Sequence, residues 1–158
     1  MKYLCLLLAL LTGHAHAEVS TEIRPFISGS LKEIQATHSG QAFILSLWSA
    51  SCTHCPAELK TLGQLKKKYP ALRIVLIATD TPNEIVQLDK LTKQFGLAKQ
   101  EQWVFADLQS EKLRFEIDPR WYGELPRTYF FNKEHQREGI SGVVPPEQLE
   151  HWITQQVK

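Results

Sequence analysis

The chain has 158 residues with a formal net charge of +1, 43% hydrophobic and 22% charged. That is the length of one domain, with enough apolar content to bury a core of its own. The near-neutral balance excludes an extensive nucleic-acid footprint, which requires a clear basic excess.

The first elements read as a targeting segment. Lys2 gives a positive start, and Tyr3 to Leu11 is a nine-residue uncharged run with six leucines, followed by Ala15-His16-Ala17. This is the anatomy of a secretory signal peptide cleaved after Ala17. The run is too short for a transmembrane helix, and no later run is long enough for one. Cys5 opens the apolar run, whereas a lipoprotein cysteine would stand at the cleavage point, so Cys5 is expected to leave with the signal. Removal of residues 1–17 takes one lysine and no acid, leaving 17 charges of each sign and two cysteines, Cys52 and Cys55. The mature chain, residues 18–158, is expected to be one soluble domain in a compartment where disulfides persist. A short signal of this kind fits a bacterial periplasm.

Residues 18–30 show no clear period and are expected along the domain edge. Gln41 to Trp48, QAFILSLW, is a candidate buried strand. After the cysteines, Leu59, Leu62, Leu65 and Tyr69 mark one face of a helix that Pro70 closes, with Lys66, Lys67 and Lys68 read as a solvated stretch near its end. Leu72 to Thr79, LRIVLIAT, is a second buried strand. Thr81-Pro82-Asn83-Glu84 spells a helix start, with Thr81 as cap and Glu84 reaching back. Ile85, Leu88, Leu91 and Phe95 supply its apolar stripe, and Gly96 its C-terminal cap. Trp103 to Phe105 is a third strand and Ser110 to Ile117 a short helix. Arg127 to Asn132 and Gln136 to Val143 form a hairpin, and Pro145-Pro146 opens a last helix. The order predicts an α/β domain with a central mixed sheet covered by helices.

The stretch WSASCTHCPAEL, residues 48–59, holds the one pattern with chemistry of its own. Its C-x-x-C is compatible with a dithiol redox centre, half a zinc site or a static disulfide. Haem attachment of the usual kind needs His after the second Cys, where Pro56 stands. Structural zinc calls for a second ligand pair, but no other cysteine pair exists, and His135 and His151 lie fifteen residues apart. A static disulfide closing so short a loop stabilises little, because the effect grows with loop length. A redox dithiol needs a thiolate near neutral pH, and a helix N-terminus lowers the thiol pKa from about 8.5. Cys52 falls at such a strand–helix junction, which makes it the expected nucleophile and Cys55 the resolving thiol.

These residues resemble the active-site segment of thioredoxin-fold proteins, and most of all the extracytoplasmic TlpA/ResA-like branch. The resemblance covers residues 26–158 and rests on a second motif, GELPRTYFFN (123–132). It implies a thioredoxin-like fold in which the helix over 82–95 is the branch's insertion. It also implies a cis-proline at Pro126, with Leu125 presenting its backbone to a bound peptide by strand addition. Two departures stand out. The residue before the first cysteine is usually Trp in this family and is Ser51 here. In thioredoxin a buried acid lies six residues before the first cysteine, where this chain has Ser46. Glu58, three residues after Cys55, is the alternative acid, either a proton-handling group, a specificity contact or a solvated first-turn residue.

His54 beside Cys52 would stabilise its thiolate and raise the potential, as the strongly oxidising relatives and isomerases with His before the second cysteine suggest. The scaffold itself resembles reductases. The expected activity is therefore thiol–disulfide exchange with cysteine-containing proteins, and reduction is the favoured direction. Cys52, Cys55, Thr53, His54 and Pro126 are the catalytic set, and Leu125, Trp48 and Glu58 the candidates for substrate contact. No cofactor is required, and the resemblance implies a membrane electron donor of DsbD or CcdA type, with an apocytochrome c or another disulfide protein as client. The alternatives are a DsbA-like oxidase or isomerase, a thioredoxin-fold copper metallochaperone and a non-catalytic peptide-binding module. Trp121 and Tyr122 are read as groove or packing residues, and His38, His135 and His151 as surface or satisfied ones.

Overall fold

The computed structural model describes residues 22–157. The expected signal peptide, with Cys5, lies outside the described residues. Six strands make one sheet: β1 (Ile23–Phe26), β2 (Phe43–Trp48), β3 (Ile74–Ala78), β4 (Glu101–Phe105), β5 (Arg127–Phe131) and β6 (Arg137–Ser141), in the order β1-β4-β3-β2-β5-β6. The first four run parallel, and β5 and β6 add on antiparallel. Five helices cover them: α1 (Ser30–Thr37), α2 (Cys55–Lys68), α3 (Ile85–Gln94), α4 (Ser110–Ile117) and α5 (Pro146–Gln156).

Strand alternation divides the core. Ile44 and Trp48 of β2 face one cluster with Leu59 and Leu62 of α2, Leu88 of α3, and Leu149 and Ile153 of α5. Phe43, Leu45 and Leu47 face the other, with Ile34 of α1, and Leu113 and Ile117 of α4. Burial on both faces explains why the central strands read as unbroken apolar runs.

The expected helix over 82–95 is a 3-10 turn, Pro82–Glu84, running into α3. Its entry carries the capping box read from Thr81 and Glu84. Its exit uses Gly96 at φ +73°, with the Leu97 N–H reaching back to the Thr92 carbonyl at 2.8 Å. That left-handed conformation costs a glycine little.

Two expectations are corrected. Residues 18–30 were expected to lack a regular element, yet Ile23–Phe26 forms a parallel edge strand and Ser30 opens α1. Lys66 is not on a solvated face. Its ammonium donates to the Pro70 and Leu72 carbonyls at 2.7 and 2.6 Å. Burial, with Arg73 nearby, lowers its pKa. It lies four residues beyond the buried Leu62, on the inner stripe of α2.

Helices α2 and α3 approach closely at Gly63, where a Cβ would lie 1.9 Å from the Phe95 carbonyl oxygen. Because that neighbour is backbone, Gly63→Ala must push α3 away, and overpacking of this kind costs about 1–3 kcal/mol or more. Denaturant unfolding of the variant is expected to show a lower midpoint with an unchanged slope.

Candidate active site

β2 ends at Trp48 and α2 begins at Cys55, and the six residues between them carry the turn. Asp80, just beyond β3, fixes the start of that turn. Its carboxylate accepts the Ala50 N–H at 3.1 Å and the Ser49 hydroxyl at 3.0 Å. Ser49 Oγ in turn meets Ser51 Oγ at 2.9 Å and accepts the Ser51 N–H at 3.1 Å. Ser51 thus occupies, as a hydrogen-bonding residue, the position where the resemblance anticipates Trp. Removing the carboxylate strands the Ala50 N–H, which costs about 1–3 kcal/mol where it is shielded from water. Asp80→Ala is expected to lower the thermal midpoint, while Asp80→Asn, which keeps an acceptor, loses less.

Cys52 and Cys55 are joined by a disulfide. Their surroundings differ: Cys52 is half-buried, whereas Cys55 is 0% exposed and belongs to the α2-side core. The first-turn N–H of Cys55 points at the Cys52 sulfur at 3.2 Å. That donor, with the helix N-terminus behind it, stabilises negative charge on Cys52. Thr53 and His54 are exposed next to it.

The second motif arrives at the same end of the sheet. Register pairs Leu47 with Arg127, and so carries Pro126 alongside the exit of β2. The Leu125–Pro126 peptide bond is cis. The Pro126 carbonyl accepts the Gly142 N–H at 2.8 Å. Leu125 is partly buried and packs against both core clusters. Trp121 is buried, its indole N–H donating to the Glu124 carbonyl at 2.9 Å, while Tyr122 is 86% exposed.

Glu58 is the charged group that matters most here. It is 1% exposed, and its two oxygens accept the Thr128 hydroxyl and the Val144 N–H, each at 2.9 Å. Burial pushes its carboxyl above the usual range, against the opposing effect of those two bonds. Thr128 is the register partner of Ser46. An acid is therefore buried over the patch of sheet where the sequence offers only Ser46, delivered by α2 rather than by β2. One helical turn separates it from Cys55, on the same face. The sequence held the signal: Cys55, Glu58, Leu59, Leu62 and Leu65 share one stripe.

Trp48 and Glu58, expected among the substrate contacts, are both enclosed at 2% and 1% exposure and offer no face to a docked chain. Glu58 is likewise no solvated first-turn residue. His38 pairs with Glu101 at 2.8 Å, and His135 meets the His38 carbonyl at 3.0 Å. Among the described residues, no three His, Cys, Asp or Glu side chains are placed to hold a metal ion. Sequence reasoning missed Asp80, Thr128 and Val144, whose partners lie 30, 70 and 86 residues away.

Three features thus converge at one end of a mixed sheet: a C-x-x-C opening a helix, a cis-proline before an antiparallel hairpin, and a helical layer on each face. The fold is thioredoxin-like. No family model and no curated protein matches the sequence. Solved structures of the thioredoxin fold do. One is a secreted Mycobacterium tuberculosis disulfide oxidoreductase homologous to E. coli DsbE, with a TM-score of 0.62 and 19% identity over 76% of this chain and 85% of that one. A thioredoxin family thiol:disulfide interchange protein from Chlorobium tepidum aligns at 0.61 and 16% identity, over 78% and 85%. A thioredoxin-related protein from Neisseria meningitidis aligns at 0.57 and 22%, over 73% and 84%. At such identities the likeness carries the thioredoxin-like architecture, and the chemistry has to come from the residues.

Proposed function

We propose that the protein is a thiol–disulfide oxidoreductase of the TlpA/ResA-like kind, acting outside the cytoplasm after cleavage of residues 1–17, and working chiefly as a reductase. The Cys52 thiolate attacks a disulfide sulfur of a client protein, expels one client thiolate and forms a mixed disulfide. The Cys55 thiolate then attacks the Cys52 sulfur, releases the second client thiolate and closes the Cys52–Cys55 bond. Two electrons pass from the dithiol to the client, and a membrane donor of DsbD or CcdA type returns them. Leu125 offers its backbone to the client chain beside the cis Pro126.

The observation that carries this reading is the asymmetry of the pair: one reachable sulfur facing a helix N–H, and one enclosed sulfur a turn away. Glu58 favours the reducing direction. Its carboxylate opposes further negative charge on the reduced pair and so favours the disulfide form. His54 argues the other way, since a donor beside Cys52 stabilises the reduced form, and it supports the second reading, an oxidase or isomerase. Among the described residues, no helix is long and apolar enough to cross a membrane.

Equilibration against glutathione decides the direction. A reductase is expected near the thioredoxin potential of about −270 mV, and a value near the about −120 mV of DsbA would overturn the direction in favour of oxidation. Failure of the pair to cycle at all would overturn the activity itself.

A further inference from the structure

On the face of the sheet opposite α2, the β5–β6 hairpin is covered by side chains rather than by a helix. Asp118, Arg120, Arg127, Tyr129, Arg137 and Gly139 enclose a cleft of about 290 Å³ there. Three guanidiniums meet one carboxylate. Asp118 is already engaged: it accepts the Arg120 N–H at 3.0 Å, the Tyr129 hydroxyl at 3.2 Å and Arg127 at 3.4 Å. Burial opposes its ionisation, but those bonds and the neighbouring Arg137 and Arg120 hold its carboxyl below the usual range. Two positive charges remain uncompensated within the cleft. Arg127 and Arg137 are both held over the Tyr129 ring, at 4.7 and 5.1 Å from its centroid. Arg127 donates to Ser141 at 2.9 Å, yet its Nε is buried without a partner among the described residues. A planar guanidinium with a free donor is built for an oxyanion.

Glycine at 139 is part of the construction. A Cβ there would lie 2.4 Å from Arg127 Nη2 and 2.5 Å from Tyr129 Cε1. The hairpin therefore leaves space for the arginine to lie across it.

We propose that this cleft is a binding site for a small oxyanion carrying two negative charges, a phosphate or a pair of carboxylates. Its volume sits at the lower bound of small-molecule sites, about 300–1,000 Å³, which suits an ion or an acidic side-chain group and not a nucleotide cofactor. The site is separate from the dithiol chemistry, but Asp118 and Arg127 bracket the segment that holds Leu125 and Pro126, so the anion would sit against the base of the docking loop. A free anion and an acidic stretch of a client offer the same chemistry.

The test is a titration of the oxidised mature protein with inorganic phosphate at constant ionic strength, chloride being the balancing ion, followed through the Arg127 Nε–H resonance. Saturable binding is expected in the wild type, weakened at least tenfold in Arg137→Gln and also in Gly139→Ala, which alters no charge. Lys60→Gln, a change of equal charge on α2, should leave it intact. Displacement of phosphate by a diacidic peptide would assign the site to clients, and its absence would assign it to a free anion. No saturation, or an equal loss in Lys60→Gln, would reduce the cleft to diffuse surface charge and overturn the proposal.

Discussion

Cys52→Ser is expected to abolish exchange with a disulfide-containing client down to the uncatalysed background. Cys55→Ser is expected to retain the first step and stall there. The reason lies in access. Only Cys52 is open enough for a client sulfur to approach in line, while Cys55 is fully enclosed by the α2-side core. The thiolate is the attacking species, and Cys52 is the sulfur to which a helix N–H is directed. Mass spectrometry of each variant after mixing with an oxidised peptide separates the two roles. Cys55→Ser should accumulate a mixed disulfide equal in mass to protein plus one peptide half, and Cys52→Ser should form none. A peptide adduct on Cys55 in the Cys52→Ser protein would reverse the assignment. A non-catalytic docking module would retain its binding in both variants and exchange in neither.

Local chemistry made much of this architecture legible. The helix entry at Thr81 and Glu84, the exit at Gly96 and the bounds of α4 at Ser110 and Ile117 all follow from contacts within a few residues, and all stand where the sequence places them. The edge strand Ile23–Phe26 was not legible for the opposite reason. It contains Arg24 and Pro25, poor strand residues, and it exists because β4 offers an edge nearly 80 residues away. Helix α1 was missed because SLKEIQAT buries only Ser30 and Ile34, too few for a stripe. Within the site, both cysteines and Pro126 could be read from motif spacing. Glu58 and Lys66 were misplaced because residue type was weighed above position. Each falls on the inner stripe of α2, and each reaches its partners from there.

Glu58→Gln is expected to raise the reduction potential of the dithiol and flatten the pH dependence of stability, without unfolding the protein. An amide can keep both bonds, its oxygen accepting the Val144 N–H and its NH2 donating to the Thr128 hydroxyl. What it removes is the charge. With the carboxylate gone, negative charge on the reduced pair is opposed less, and each tenfold gain in the reduced form raises the potential by about 30 mV. The sign for stability follows from the raised carboxyl pKa. Folding favours the protonated form, so the group's contribution is fully present below its ordinary value of 4.5 and is lost as pH rises through the higher folded value. The wild type should therefore lose stability on the alkaline side of that window, and Glu58→Gln should not. Glu58→Leu is the contrasting variant. It removes the charge but strands two buried donors at about 1–3 kcal/mol each, so it should lower the denaturation midpoint at every pH. If Glu58→Gln leaves both the potential and the pH slope unchanged, the carboxyl is only a peg between α2 and the hairpin. If both move, the acid that the sheet lacks at Ser46 is supplied from the helix and acts on the dithiol.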